Sequence, residues 1–293
     1  MIKRFLIRSM VFFLTGVLLI LLFFFTNKAF LHHSGILSFP ASKTILILGD
    51  SHTETSINDS LLGNCVNLSA SADSYYYSYL KLVKLKKINP QIKTLILSYS
   101  FKNIISGIED KWLFNNKQIN SRFFRFCHFM SLDDFRILAG KKPLQVMQNV
   151  FKIPRFSFIF FVSDYKSLGI GGFKRIERHD FENAIRNLQS EKPDSTFEYS
   201  IIEMTYLKKI FSFCKAREIE LVLISTPLHP ILLKARKKRM LFSQNYLQKH
   251  FSQVKYMDFS SMRVPDSCFA DLNHMNSKGA SLFSNHLREY LKE

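Results

Sequence analysis

The stretch Thr44-Ile45-Leu46-Ile47-Leu48-Gly49-Asp50-Ser51-His52-Thr53 joins an apolar run to a glycine and then to a series of polar side chains. The run from Thr44 to Leu48 is almost continuously apolar, which predicts a strand covered on both faces, as in a parallel sheet. A glycine after the strand and a polar segment that can begin a helix predict a strand, a tight turn and a helix. Open α/β sheets bind ligands beyond the carboxyl ends of their strands, so Ser51 is predicted to lie where a ligand would bind.

Four further apolar runs repeat this pattern, and helical segments separate several of them. The predicted strands are Cys65 to Leu68, Lys93 to Tyr99, Glu220 to Ser225 and Val254 to Phe259. The predicted helices are Ser74 to Lys87, Ile201 to Arg217 and Ser277 to Lys292, each with an apolar stripe. In the first of them we expect Tyr75 and Leu82 on the buried face and the lysines opposite. Strands that alternate with helices predict right-handed crossovers and an α/β fold with a doubly wound, mostly parallel five-stranded sheet.

The N-terminal segment predicts a membrane helix. Residues 9–27 carry no charge over 19 positions, which is close to the length that spans a bilayer core. Lys3, Arg4 and Arg8 precede this run, so positive charge predicts a cytoplasmic N-terminus and an extracytoplasmic body, in the periplasm or at the cell surface. The absence of a small-x-small cleavage site favours an uncleaved signal anchor, and a cleaved signal peptide is the alternative.

The domain organisation follows from these assignments. We expect a cytoplasmic tip and transmembrane anchor over residues 1–31, a linker over 32–42 and an α/β domain over 43–293. Residues from about 101 to 199 interrupt the alternation of strands and helices with a basic, Phe-rich stretch that includes Phe156 to Phe161. This stretch is too long for a simple loop and is interpreted as an insertion or cap.

Charge and cysteine content limit the partners. The chain carries 41 Lys and Arg against 23 Asp and Glu, a net charge of +18, which favours an anionic membrane surface or acidic glycans. Nucleic acid is not expected as a partner, because the anchor and the lack of a recognition motif argue against it. The four cysteines are widely spaced without a C-x-x-C pair, so neither a metal site nor a cofactor is predicted. Disulfides and ordinary buried thiols both remain open.

Two polar segments could carry chemistry. Ser51 would lie at the start of a helix whose free N–H groups can stabilise an oxyanion, although Ser51 and Glu54 also fit a capping box. Near the carboxyl terminus, Asp271-Leu272-Asn273-His274 places an acid three residues before a histidine. A serine needs such a base, and the imidazole needs an acceptor that fixes its tautomer. The alternative is that Asp271 is a turn residue and His274 a solvated loop residue.

Together, the Gly-Asp-Ser after the first strand and the Asp-x-x-His before the last helix resemble the SGNH (GDSL-like) hydrolase superfamily. The resemblance covers residues from about 43 to 293. It implies a three-layer fold in which Ser51 is the nucleophile, His274 the general base and then acid, and Asp271 the residue that orients His274.

The second and third blocks of that family depart from its pattern here. Residues 67–73 contain no glycine, and residues 97–103 contain no Gly-x-Asn-Asp. The oxyanion candidates are therefore the backbone at Ser69 to Ala72, with Ser71 among them, and either Ser100 or Asn103. His52 and His229 are further candidates for contact with substrate.

The anchor, the Gly-Asp-Ser-His opening and the Asp-x-Asn-His-x-Asn ending resemble members of this superfamily that act in cell-envelope acyl transfer. These include relatives of the D-alanine transfer protein of teichoic acid synthesis and of the alginate O-acetylation proteins. The resemblance implies a membrane-anchored serine esterase or O-acyltransferase acting on an acylated glycan or another envelope ester, beside a membrane-bound O-acyltransferase. The alternative is a non-catalytic scaffold with the same fold.

Overall fold

The computed structural model of the protein describes residues 1–157, 166–179, 181–190 and 197–291. Five strands form one parallel sheet in the order β2-β1-β3-β4-β5. They are Ile45–Leu48 (β1), Cys65–Asn67 (β2), Thr94–Ser98 (β3), Glu220–Ser225 (β4) and Lys255–Asp258 (β5). The predicted α/β fold with a parallel five-stranded sheet is confirmed, and each strand end lies within one residue of its predicted position.

The described part of the chain also contains α-helices. They are Ile2–His33 (α1), Ser51–Ser56 (α2), Tyr75–Ile88 (α3), Ile108–Trp112 (α4), Asn116–Phe126 (α5), Leu132–Lys141 (α6), Pro143–Phe151 (α7), Ile153–Phe156 (α8), Phe181–Ser190 (α9), Ile201–Ala216 (α10), Pro230–Ala235 (α11), Lys237–Phe251 (α12) and Ser277–Tyr290 (α13). The three helices predicted from the sequence correspond to α3, α10 and α13.

The strand order reverses its direction of winding between β1 and β3. From β1 the chain moves outward to β2, then returns past β1 to β3 and continues to β4 and β5. The direction of winding therefore reverses between β1 and β3, and at such a point the loops beyond the two strands separate and leave a crevice. Ser51 follows β1 and Asn103 follows β3, so both lie at this edge of the sheet.

Buried side chains cover both faces of the sheet, because successive residues along a strand point to opposite sides. Ile47, Ile96 and Val222 lie side by side in register and form one core cluster with Phe283 and Leu287 of α13. On the strands the intervening residues are buried as well: Leu46, Leu48, Leu95, Leu97, Leu221 and Leu223. Burial on both faces explains why the strands read as continuous apolar runs.

One detail of α3 differs from the prediction. We expected its lysines on the exposed face, but Lys81 is fully buried and its Nζ lies 2.5 Å from a carboxylate oxygen of Asp73. The same ammonium group donates to the carbonyl oxygens of Leu68, at 2.5 Å, and Ile170, at 3.3 Å. A buried charge is tolerated only with such partners, and they come from segments that the helical periodicity does not include.

The chain divides into two compact units: residues 1–38 with 114–169, and residues 39–113 with 170–293. The second, which we call the sheet unit, contains all five strands. It also holds both ends of the predicted insertion, because Ile105 pairs with Tyr199 in an antiparallel bridge and the Gly172 N–H donates to the Ser69 carbonyl at 3.0 Å. Residues 158–161 of the predicted Phe-rich stretch lie outside the described residues.

The other unit, the helical unit, contains α1 and helices α5 to α8. Helix α1 is long and apolar enough to cross a membrane, with a mean hydropathy of 2.5 in its most apolar window. Its large side chains, such as Phe12 and Leu18, are exposed, as lipid contact would require. Near its end the buried Asn27 donates to Ser157 Oγ at 2.9 Å. The orientation of α1 in a membrane stays a prediction.

Candidate active site

Ser51 occupies the first helical position of α2, and its neighbour Asp50 is the N-cap residue. The Asp50 Oδ1 atom accepts from the His52 N–H at 3.0 Å. The capping box considered for Ser51 and Glu54 is therefore wrong, and the Glu54 carboxylate instead accepts from Ser71 Oγ. The capping oxygen belongs to Asp50, so Ser51 Oγ is not used to cap the helix.

Gly49 allows the turn between β1 and α2 to pass against the end of β3. Its φ is +151°, and a Cβ atom at this position would lie 2.2 Å from Ser98 Cβ and 2.7 Å from Thr53 Oγ1. No side chain fits at such distances, so the turn requires glycine. The close approach brings Asp50 within 3.1 Å of Ser98 Oγ, which donates to Asp50 Oδ1.

Asp271 and His274 lie on a tight turn that follows β5 and precedes α13. An antiparallel bridge between Phe269 and Met275 closes the turn, and the Ala270 N–H donates to the His274 carbonyl at 2.9 Å. Inside the turn, Asp271 Oδ1 accepts from the backbone N–H groups of Asn273, at 2.7 Å, and of His274, at 2.9 Å. These bonds fix the carboxylate relative to the histidine backbone.

The structure brings Ser51, His274 and Asp271 together in one hydrogen-bonded chain. His274 Nε2 lies 2.8 Å from Ser51 Oγ, and Nδ1 lies 2.8 Å from Asp271 Oδ2. The His274 side chain is 23% exposed, so the group is open to solvent and reachable by a ligand. The alternative of a solvated loop histidine is therefore wrong, because both ring nitrogens are within hydrogen-bond distance of a partner.

The carboxyl group of Asp271 is held ionised. Burial opposes its ionisation, but the hydrogen bond from the His274 ring, the charge of that ring and the two backbone N–H groups outweigh burial and lower the pKa of Asp271 to about 2. A carboxylate at this position accepts a hydrogen bond from the Nδ1–H group of His274, so Nε2 is left to face Ser51.

Asn103 and Ser100 lie beyond β3, and Asn103 is hydrogen-bonded to both Asp50 and Ser100. Asn103 Nδ2 donates to Asp50 Oδ2 at 3.0 Å, while its Oδ1 accepts from the Ser100 N–H at 2.7 Å. Ser100 Oγ accepts from the Lys102 N–H at 3.3 Å. Asn103 is thus held rigidly by two bonds, and a side-chain amide nitrogen carries a second hydrogen that can serve another acceptor.

In the loop after β2, two of the backbone N–H groups predicted as oxyanion donors form hydrogen bonds within the fold. The Ser69 N–H donates to Asn67 Oδ1 at 2.9 Å, and the Ala70 N–H donates to the Gly49 carbonyl at 3.0 Å. The side chain of Ser71 is exposed and bonds to Glu54. The backbone N–H groups of Ser69 and Ala70 already donate within the fold, so they are not available to an oxyanion.

His52 is buried beside His274. Its ring centre lies 5.4 Å from that of His274, and the residue also lines a small cavity with Ser98 and Ser100. Burial lowers the pKa of His52 to about 4, with Asp50 opposing the shift and Lys102 adding to it. His52 is therefore neutral at pH 7, so it adds no positive charge beside His274.

His229 serves a structural role at the end of β4. Its Nδ1 accepts from the Ile231 N–H at 3.3 Å as the cap of α11, and its Nε2 lies 2.8 Å from Asp266 Oδ1. Both ring nitrogens have partners other than Ser51, His274 and Asp271, so the structure does not join His229 to these three residues.

Lys102 is a site residue that the sequence analysis missed. Its Nζ donates to Asn273 Oδ1 at 2.6 Å, which ties it to the turn between Asp271 and His274. Burial lowers the pKa of Lys102 to about 8, whereas Asp50 and Asp271 raise it. A lysine three residues past a predicted strand end was the available sequence signal, but its partner Asn273 lies far along the chain.

The described residues contain no group of three or more His, Cys, Asp and Glu side chains placed to hold a metal ion. All four cysteines, which lie in the described ranges, are free and buried: Cys65, Cys127, Cys214 and Cys268. Burial raises the pKa of Cys65, Cys127 and Cys214 to about 12, so these three are thiols at neutral pH. Of the two alternatives left open above, the structure has buried thiols.

Comparison with known proteins gives similarities of fold. No curated protein matches the sequence, and a family model that carries no descriptive name matches residues 176–293. One similar structure is a GDSL-like lipase from Bacteroides thetaiotaomicron, with 7% identity, a TM-score of 0.38 and coverage of 92% of this chain and 98% of that one. Another, from Bacteroides fragilis, is provisionally named an acylhydrolase and has 11% identity, a TM-score of 0.36 and coverage of 85% and 86%. These two likenesses assign neither a family nor an activity to this chain.

Proposed function

We propose that the protein is a membrane-anchored, extracytoplasmic serine esterase or O-acyltransferase that acts on acyl esters of cell-envelope glycans through an acyl-serine intermediate. The observation that carries this proposal is the hydrogen-bonded chain from Asp271 through His274 to Ser51 Oγ. A hydroxyl paired with an imidazole, which is paired in turn with a carboxylate, is the arrangement that activates a serine as a nucleophile.

In the first half of the reaction, Ser51 Oγ attacks the ester carbonyl carbon while its proton passes to His274 Nε2. The tetrahedral intermediate then breaks its bond to the leaving alcohol, and His274 returns the proton to that oxygen. Asp271 remains ionised throughout, because its pKa of about 2 lies far below neutral pH, and it stabilises the imidazolium that forms. The product of this half is an acyl-Ser51 ester.

In the second half, a water molecule or a glycan hydroxyl attacks the acyl-Ser51 carbonyl and gives its proton to His274. Breakdown of the second intermediate restores the Ser51 hydroxyl as His274 returns the proton. Hydrolysis and transfer differ only in this acceptor, so the triad supports both equally. A membrane-bound O-acyltransferase would supply acyl groups if transfer is the activity.

The negative oxygen of each intermediate needs hydrogen-bond donors. The backbone N–H of Ser51 is one donor, since it lies in the first turn of α2 before any intrahelical acceptor. The remaining hydrogen of Asn103 Nδ2 is the second, because its other bond, to Asp50 Oδ2, fixes the amide plane. Removing one such donor typically slows an enzyme by about 10²- to 10³-fold.

A fluorophosphonate probe tests the proposal, because it labels only an activated serine. We expect labelling of the full-length protein in non-ionic detergent and its loss in Ser51→Ala. Ser252→Ala, a change at an exposed serine, is the matched control and should label like the wild type. Released acid and acylated glycan, measured in parallel, then separate hydrolysis from transfer.

The second candidate is a non-catalytic scaffold that holds an acyltransferase or a polymer. The observation that favours it is the commitment of the Ser69 and Ala70 N–H groups to bonds within the fold, which removes two of the predicted oxyanion donors. Folded wild-type protein that takes up no probe, with normal thermal unfolding, would support the scaffold and contradict the enzyme.

A further inference from the structure

The exposed face of α7 is apolar. Leu144, Met147 and Phe151 are 63%, 51% and 58% exposed, and their spacing of three and four residues places them on one stripe of the helix. The opposite face is buried through Val146 and Asn149. A row of large apolar side chains that stays open to solvent marks a surface that contacts another body.

The surface of α5, in the same helical unit, is polar instead. The residues of α5 with exposed side chains are Asn116, Lys117, Asn120 and Ser121. Outside α1, the large apolar side chains exposed in the described part of the helical unit are the three of α7 and Leu132 at the start of α6. Apolar exposure is therefore concentrated on α6 and α7 and is not a general property of this unit.

The place where the helical unit meets α1 indicates what covers this face. The uncharged run of α1 ends at Asn27, next to Lys28, so with α1 across a bilayer this end of the run lies at the membrane surface. The ring centre of His128 lies 4.8 Å from that of Phe24, and Asn27 donates to Ser157 Oγ. Phe24 is only about 5 Å along the helix axis from Asn27. The unit therefore contacts α1 where the hydrocarbon core meets the head groups.

Helix α7 is joined to this contact by a short connection. Helix α8 packs against α1 and begins at Ile153, two residues after Phe151 ends α7. Ser157, the partner of Asn27, directly follows α8. A helix held so close to a bilayer can insert a small apolar face, because its local concentration at the surface is already high. A stable protein dimer, in contrast, typically buries about 1,200 to 2,000 Å², which is large compared with three side chains.

Basic side chains flank the apolar face of α7. Lys141 and Lys142 precede the helix, Lys152 and Arg155 follow it, and residues 135–157 contain no Asp or Glu. Three of these four side chains are exposed, and Lys142 is half-buried. Helices that lie in a membrane interface bury an apolar face among the acyl chains, while lysine and arginine extend to the head groups. The charge around α7 is thus complementary to phospholipid phosphates.

We propose that α7 is a second membrane contact, in which Leu144, Met147 and Phe151 insert into the interface of the bilayer that α1 crosses and Lys141 and Lys152 reach the lipid phosphates. The proposal rests on the membrane anchoring in the proposed function and is independent of the chemistry at Ser51. A single spanning helix leaves the helical unit free to rotate about the helix axis. The second contact fixes the orientation of this unit on the membrane.

Quenching of tryptophan fluorescence by brominated lipid tests the contact in the full-length protein. Met147→Trp is made in a Trp112→Phe background, so that the apolar face carries the only indole of the chain. The protein is reconstituted into vesicles of phosphatidylcholine and phosphatidylglycerol, with and without bromine on the acyl chains. We expect emission from position 147 to fall by about half or more with bromine, because an inserted side chain lies among the acyl chains.

Ser121→Trp in the same background is the matched control, since Ser121 is exposed on the polar surface of α5. Its emission should be the same with and without bromine. Phe151→Trp repeats the measurement at a second position of the apolar face, and circular dichroism verifies that each variant is folded. Equal quenching at positions 121 and 147, or no quenching at either 147 or 151, would overturn the proposal.

Acrylamide, a quencher dissolved in the water, distinguishes cover by lipid from cover by protein. Position 147 should be shielded from acrylamide and quenched by brominated lipid. Shielding from acrylamide without quenching by bromine would show that a second copy of the chain covers the face, because the vesicles contain no other protein. That outcome would overturn the proposal.

Matched double variants test whether the apolar side chains hold α7 in the lipid. Leu144→Ser with Phe151→Ser, added to the Met147→Trp protein, removes two apolar side chains of the face. Ile231→Ser with Leu241→Ser removes two exposed apolar side chains of the sheet unit instead. We expect quenching at position 147 to weaken about twofold or more in the first variant and to stay unchanged in the second. Equal weakening in both would overturn the proposal.

Two further measurements separate this proposal from the proposed function. Extraction of the vesicles with alkaline carbonate tests the anchor, and release of the wild-type protein would contradict the anchoring and overturn the α7 contact with it. Fluorophosphonate labelling of Ser51 is measured in the same vesicles. Labelled protein without quenching by bromine would remove the α7 contact alone, whereas quenching without labelling would support that contact and remove the enzyme.

Discussion

Both carboxylate oxygens of Asp271 lie within hydrogen-bond distance of His274 Nδ1, at 3.0 and 2.8 Å, and the same side chain accepts the His274 backbone N–H. One residue thus fixes the position of the histidine backbone, the rotation of its ring and the place of its proton. The opposite nitrogen, Nε2, is left 2.8 Å from Ser51 Oγ. In the proposed mechanism, activation of Ser51 therefore depends on Asp271, which does not contact it.

Asp271→Asn should lower the rate of probe labelling or ester turnover by about 10³- to 10⁴-fold, because an amide can stabilise the wrong tautomer and carries no charge to balance the imidazolium. The matched control is Asp266→Asn, which changes an aspartate that also lies 2.8 Å from a histidine, His229, in a pair outside the hydrogen-bonded chain of Ser51. Its labelling should stay within about twofold of wild type. Equal losses in the two variants would contradict the role given to Asp271.

Gly49→Ala should destabilise the sheet unit, since the new Cβ would meet Ser98 Cβ at 2.2 Å. We expect a loss of about 3 kcal/mol or more in the free energy of unfolding, from the clash together with the unfavourable φ. Gly63→Ala is the control, because Gly63 also has a positive φ, of +59°, but a Cβ there meets no atom within 4 Å. Thermal unfolding followed by circular dichroism compares the two, and equal losses would exclude the close approach as the cause.

The sheet could be predicted from the sequence because its three central strands, β1, β3 and β4, are buried on both faces and are mostly apolar. Ser51 and the Asp271 to His274 turn could also be predicted, since each is a short motif beside a strand or helix signal. Their meeting at 2.8 Å required the fold, and the sequence supported it only through the resemblance of the two motifs together.

The residues that sequence reasoning missed are those whose role depends on distant partners. Lys81 looked like a solvent-facing helical lysine, yet its ammonium contacts Asp73, Leu68 and Ile170. Lys102 looked like a loop lysine, and its significance comes from Asn273 near the other end of the chain. Local periodicity contains no information on such contacts, because it describes one element at a time.

Lys81→Met should be strongly destabilising, because it leaves the Asp73 carboxylate buried without its counter-charge. Breaking a buried pair on one side typically costs about 3 to 5 kcal/mol of unfolding free energy. Adding Asp73→Asn should recover part of the loss, since the second change removes the uncompensated charge. Urea denaturation of the single and double variants measures this coupling, and a strictly additive double variant would contradict it.

The exposed pair of Arg136 and Asp133 provides the control for this experiment. Its side chains are 73% and 78% exposed, and the two atoms lie 2.9 Å apart. Water already solvates both charges, so Arg136→Met should cost no more than about 1 kcal/mol. Similar costs at the buried and exposed pairs would mean that burial of Lys81 is not what makes its pair important.

Glu203→Gln should change how stability depends on pH. Burial raises the pKa of Glu203 to about 8, although the hydrogen bond from the Tyr75 N–H favours the ionised form. Between pH 4.5, the ordinary value, and about 8 the folded protein keeps a proton that the unfolded chain releases, so this group's contribution to stability is lost as pH rises. Glutamine removes that dependence.

The free energy of unfolding, measured at pH 5, 6.5 and 8, should therefore fall less with rising pH in Glu203→Gln than in the wild type. The difference between the two proteins should grow by up to about 1.4 kcal/mol per pH unit. Glu182→Gln, at an exposed glutamate paired with Arg186, controls for the loss of a negative charge. A constant difference between Glu203→Gln and wild type across the series would show that Glu203 is ionised in the folded protein.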